Sequence, residues 1–140
     1  MKDRVFVDTN ILIYAHDRDA REKHAAAAKV IKELWNSRTG VLSTQVLQEF
    51  YVNVTRKIPT PLPRAVARHL VQQYSAWPVV EIDVAMIGKA SEIEERYTIS
   101  FWDALIVAAA QHASAETLLS EDRNACKDFD GVRIENPLPH

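Results

Sequence analysis

The 140 residues include a single cysteine, Cys126, so neither a disulfide framework nor a thiolate zinc site can form. Glycine is almost as scarce. Gly40, Gly88 and Gly131 are scattered, which leaves no glycine-rich loop to cradle nucleotide phosphates. None of the five histidines shows the paired helical spacing of a zinc site, and surface or packing roles are expected for them. Long apolar runs are also missing. The longest, Ala104 to Ala110, is far too short to span a membrane. Met1-Lys-Asp-Arg leads straight into a strand-like run without the apolar segment of a signal peptide, so a cytoplasmic location is expected. A net charge of −2 argues against coating nucleic acid by bulk electrostatics. A local basic rim is still allowed by Arg18, Arg21, Lys23, Lys29, Lys32 and Arg38, followed by Arg56, Lys57, Arg64 and Arg68.

What is present alternates between strand and helix. Arg4 to Asp8 reads as a buried strand, and Asn10 to Ala15 as a short helix. Ala20 to Asn36 reads as a long amphipathic helix with Ala26, Val30, Ile31 and Leu34 inward. Val41 to Ser43 is a second strand. Gln45 to Lys57 returns to helical period, with Val46, Leu47, Phe50 and Val54 on one face. Pro63 is well placed to open a helix reaching to about Ala76. Val79 to Ile82 is strand three, and helices over Asp83–Tyr97 and Phe101–Ala113 follow. Thr117 to Ser120 is strand four, with Val132 to Ile134 as an edge strand. No internal repeat or long linker divides the chain, so a single domain over residues 1–140 is expected. Strands separated by helices imply an α/β fold with a mostly parallel sheet of four to five strands, covered on both faces. Ligands of such sheets gather at the carboxyl ends of strands.

Four acids stand out against this layout. Asp103 is the only ionisable side chain between Tyr97 and His112, in a stretch that is apolar nearly all round, as in a buried helix. A lone buried carboxylate costs several kcal/mol unless its charge is compensated. No Lys or Arg lies within two helical turns, and a metal ion shared with other acids would supply the compensation. Asp8 closes the run Val5-Phe-Val, and Asp122 follows Leu118-Leu-Ser-Glu. Glu49 has no cation at helical pairing distance. Each also has a plainer role open to it. Asp8 could cap the next helix, and Ser100-x-x-Asp103 could form a variant capping box. Glu49 could be a solvated helix residue, and Asp122 a turn residue. The combination is more telling than any one of them.

In order and spacing, the four acids resemble the PIN-domain ribonucleases, and more narrowly the VapC-type toxins of bacterial toxin–antitoxin pairs. The likeness runs from Val5-Phe-Val-Asp-Thr-Asn10 to Ile134-Glu-Asn-Pro137. It includes Asp8-Thr9-Asn10 at the end of strand one and Glu49 in the helix after strand two. It also includes Phe101-Trp-Asp-Ala-Leu-Ile106 and Ser120-Glu-Asp122. After Asp122 the chain departs from many relatives with Arg123-Asn-Ala-Cys-Lys127, which makes Glu121 a second candidate for the fourth position. The resemblance implies a PIN-like three-layer α/β/α sandwich and metal-dependent hydrolysis of RNA. It further implies a homodimer and a VapB-like antitoxin as partner. Asp8 and Asp103 would be direct metal ligands, completed by Glu49 and Asp122, with Asn10 and Ser120 in support.

Oxygen-only ligands select Mg²⁺ or Mn²⁺ over zinc. Clustered carboxylates raise one another's pKa and destabilise the empty protein. A haloacid-dehalogenase-type phosphatase is excluded, because the acid it needs two residues after Asp8 is Asn10 here. An acid-lined binding module without activity is the competing reading. Trp35, Trp77 and Trp102 fall at amphipathic or buried positions and are expected to serve packing rather than base stacking.

Overall fold

The computed structural model describes residues 3–121 and 127–139. Strand β1 (Val5–Val7) buries Phe6 and Val7 completely. Asp8 ends it and caps α1 (Thr9–Tyr14). A 3₁₀ turn at Arg18–Ala20 leads into α2 (Glu22–Ser37), whose buried stripe is Ala27, Ile31 and Leu34. Ala26 and Val30, expected inward, lie half-buried beside that stripe. Strand β2 (Gly40–Ser43) is buried along its whole length, and Ser43 caps α3 (Thr44–Arg56) by accepting the Val46 N–H. Helix α4 (Arg64–Tyr74) follows Pro63, and β3 (Val79–Val80) follows Pro78. Asp83 caps α5 (Val84–Tyr97), and Ser100 caps α6 (Phe101–His112). Strands β4 (Thr117–Leu119), β5 (Asp128–Phe129) and β6 (Val132–Glu135) complete the described residues.

The strands form one sheet in the order β3-β2-β1-β4-β6-β5. All neighbours are parallel except β5 and β6. The helices pack as two groups, α1 on α2 and α3 with α3 on α4, and α5 on α6, as right-handed crossovers running first one way and then back along the sheet require. The result is the expected three-layer α/β sandwich. Helix α6 carries a long unbroken buried run: Ala104 through Ala110 are all buried. The Ala108-Ala109-Ala110 face is therefore used within the fold. No helix among the described residues is long and apolar enough to cross a membrane.

Two expectations need correction. The sheet has six strands among the described residues, not four to five, and β6 is interior because β5 covers it. The cause is a tight hairpin. Asp130 and Gly131 both take positive φ, 53° and 95°, as a two-residue turn between twisted strands requires. The Gly131 N–H donates to Asp128 Oδ1 at 2.7 Å.

At Gly40 in β2, an added Cβ would lie 2.5 Å from the Trp77 ring. That ring is buried against Trp35 and Tyr74, so its displacement would disturb their packing. Gly40→Ala is therefore expected to destabilise the fold by about 1–3 kcal/mol, as overpacking does. Urea unfolding would read this as a lower midpoint at unchanged slope.

Candidate active site

The strand order turns at β1. The chain moves from β1 to β2 and β3 on one side, then returns to place β4 on the other. Such a switch opens a crevice beyond the carboxyl ends of the two strands. Val7 pairs in register with Leu119, so the next residues, Asp8 and Ser120, stand abreast at that edge. Ser120 is buried, and its Oγ donates to Asp8 Oδ2 at 2.7 Å. The Thr9 N–H donates to Asp8 Oδ1, also at 2.7 Å. Asp8 thus both caps α1 and holds Ser120, since one carboxylate has an oxygen for each partner.

Thr9 extends the network. Its buried hydroxyl donates to Glu49 Oε1 at 2.7 Å, which ties the α3 acid to the start of α1. Glu49 is half-buried rather than freely solvated. From the opposite face, α6 brings Asp103 to a small cavity that it lines with Asp8, Ser120, Ile99 and Ile106. Asp103 is half-buried in the first helical turn, and its N–H donates to Ser100 Oγ at 3.1 Å. The deep burial expected for it is not what the fold provides; the Ser100 cap is. At a helix N-terminus the backbone dipole already favours a negative charge.

The electrostatics fit this convergence. Burial, the largest influence, pushes the Asp8 carboxyl up to about 6, while the Ser120 and Thr9 hydrogen bonds hold it back. Repulsion from Glu49 and then from Asp103 adds to the rise. Asp8 therefore feels the charges of two acids far away in the chain. Among the described residues they do not form a ready-made cage of three metal-binding side chains, and Asp122 lies outside the described residues.

Glu121, the second candidate for the fourth position, is otherwise engaged. Tyr14 Oη donates to its Oε1 at 2.9 Å, and Lys23 Nζ stands 2.5 Å from its Oε2. Asn10 accepts the Glu121 N–H at 3.2 Å, so it pins the chain after β4. Thr9, Tyr14 and Lys23 were not anticipated. Thr9 had a visible signal in its place between Asp8 and Asn10, whereas the other two depend on how α1 and α2 pack.

The aromatics divide. Trp77 is buried and Trp35 stacks on Tyr74, as packing residues should. Trp102 does not follow: it is 63% exposed. A wider apolar groove, lined by His16, Ile31, Trp35, Leu70 and Tyr74, has no carboxylate in its lining.

Solved structures share this architecture. A sarcin–ricin-loop-cleaving toxin of Mycobacterium tuberculosis, VapC20, is 22% identical over 86% of this chain and 91% of its own, with a TM-score of 0.67. A toxin–antitoxin complex from Klebsiella pneumoniae gives 19% identity, coverages of 91% and 94%, and a TM-score of 0.67. VapBC2 of Rickettsia felis, bound to a DNA fragment from its promoter, gives 20%, coverages of 94% and 97%, and 0.65. At these identities the likeness is one of fold. No curated protein matches the chain by sequence. The PIN-domain family profile, however, matches residues 5–131. Sequence profile and sheet order thus agree, and the chain belongs to the PIN-domain family.

Proposed function

We propose that this chain is a divalent-metal-dependent endoribonuclease, and that it acts as the toxin of a toxin–antitoxin pair. The carrying observation is Asp8: a carboxylate at the strand switch, raised to about 6 by burial and by Glu49 and Asp103. Such a site is costly unless positive charge enters it. The donors are all oxygen, which fits Mg²⁺ or Mn²⁺. Asp8 and Asp103 would hold the ion directly, and Glu49 and Asp122 would complete the shell or orient water, one of them accepting a proton. A bound dication supplies charge that acidifies a water and steadies the leaving oxygen of a phosphodiester.

The chain's own residues do the positioning. Ser120 and the Thr9 N–H fix the two Asp8 oxygens, and the Thr9 hydroxyl fixes Glu49. Such outer contacts aim ligands and hold them in place. The fold shared with an RNA-cleaving toxin and with VapBC complexes supports RNA as substrate, with a VapB-like antitoxin and a second copy of the chain as partners.

RNA should be cut in Mg²⁺ or Mn²⁺ and left intact in EDTA. Binding without metal-dependent cutting would instead assign an inactive, acid-lined module. Millimolar Mn²⁺ should also raise the melting temperature. At about 100 times the dissociation constant the gain is about 2.7 kcal/mol, or roughly 5–10 °C for a domain of this size. A melting point that no divalent ion moves would refute the metal site.

A further inference from the structure

We propose that Trp102 is a stacking platform for an unpaired nucleobase of the RNA, next to the phosphodiester that is cut. The inference rests on the nuclease reading of the same site and narrows its substrate to RNA with an unpaired nucleotide at the cleavage point.

The ring is exposed but not loose. It lies in the first turn of α6, and Phe101 meets it edge-on, with ring centroids 5.3 Å apart and planes at 79°. Gln45, itself only 6% exposed, donates from Nε2 to the Trp102 carbonyl at 3.3 Å. The other amide atom, Gln45 Oε1, has no hydrogen-bond partner among the described residues. A buried amide left half-satisfied is tolerated at the point that links α3 to the backbone of position 102.

The link also places the ring. Gln45 and Glu49 are four residues apart on α3, so they share a face about 6 Å apart along the axis. Trp102 immediately precedes Asp103. The backbone of position 102 therefore sits between Gln45 of α3 and the start of Asp103, next to the elements that carry two of the acids, and from there it presents an indole that is 63% exposed. Trp35, the other partly exposed tryptophan, is stacked on Tyr74 and edge-on to Trp77, so one of its faces is already taken.

RNA carries negative charge toward a site lined with carboxylates. Affinity that does not depend on the phosphates must come from neutral surface, and an indole face provides it to any base. A base inside a duplex is stacked on both sides and has no free face. The platform thus selects for unpaired RNA while discriminating little among bases.

The test uses the full chain in Mn²⁺, with one oligoribonucleotide offered single-stranded and annealed to its complement. Trp102→Ala should raise KM for the single strand by about 5- to 100-fold, move kcat less, and erode the preference over duplex. Trp102→Phe should restore part of the affinity, which a merely structural role would not require. With Asp103→Asn to prevent cutting, the oligonucleotide should quench tryptophan emission, and adding Trp102→Phe should remove most of that quench. Wild-type KM and strand preference in Trp102→Ala would overturn the platform while leaving the nuclease intact. A wild type that neither binds nor cuts RNA would overturn both.

Discussion

Asp103→Asn should lower RNA cleavage by about 100- to 1000-fold, the usual loss when one charge-stabilising group leaves a preorganised site. The same change should leave the metal-free protein as stable as before, or more so. Asp103 adds to the repulsion that raises Asp8, and the amide removes that charge. The cap survives, because Ser100 Oγ receives the backbone N–H of position 103 rather than its side chain. The forfeited interactions include that of a carboxylate with a helix N-terminus, worth about 0.3–1 kcal/mol at a surface position. Thermal melts in EDTA alongside cleavage assays in Mn²⁺ separate the two effects. A large drop in the EDTA melting point would show Asp103 to be structural. Full activity would remove it from the site.

Asp8→Asn should relieve the metal-free protein at pH 7 of a burden of up to about 3 kcal/mol, less what is lost because the amide has one oxygen where the carboxylate has two for Ser120 and Thr9. This follows from a carboxyl raised from 3.8 to about 6, at about 1.36 kcal/mol for each tenfold change in proton affinity. The sign sets the pH window. The folded protein binds this proton more tightly than the unfolded chain does, so the burden is absent below about pH 4 and complete above about pH 6. His16 runs the other way. Burial, with His24 adding repulsion, pulls it from 6.5 down to about 4. It packs edge-on to Phe50 and Tyr74, with Nε2 2.6 Å from Tyr74 Oη. Burial raises the Tyr74 pKa as well, so that hydroxyl keeps its proton for the neutral imidazole. Here the unfolded chain takes up the proton first, and stability falls as pH drops from 6.5 towards 4.

The two slopes oppose each other over the same interval, so the wild type conceals both. In Asp8→Asn the His16 slope should emerge as a steep loss on acidification. In His16→Gln the Asp8 slope should emerge as a gain. Urea unfolding at pH 4.5, 5.5 and 7 reads both. Parallel profiles for all three proteins would contradict this assignment.

Much of this was legible in the residues. Helical period located the α-helices of the described residues to within a few positions, and Asp8, picked out in the sequence, does feel the charges of Glu49 and Asp103. Other features were hidden for definable reasons. The segment Phe101–Ala110 is apolar on nearly every side apart from Asp103, so it carries little phase information and could not say that Trp102 faces outward. Asp103 read as deeply buried for the same reason. Its true setting depends on where α6 begins relative to the sheet edge. The hairpin of β5 and β6 was announced by Asp130-Gly131, but a two-residue strand is too short to show alternation. The commitment of Glu121 to Tyr14 and Lys23 joins α1, α2 and the end of β4, and no local pattern reports it.

The outermost strands are β3 and β5, each only two residues long. Pro78 has no N–H to offer beside the first, and Asp128 sets a charge on the second. An approaching polypeptide would find only a rung or two to pair with. Even when crowded at high expression, the chain offers little template for fibril growth by edge-to-edge addition.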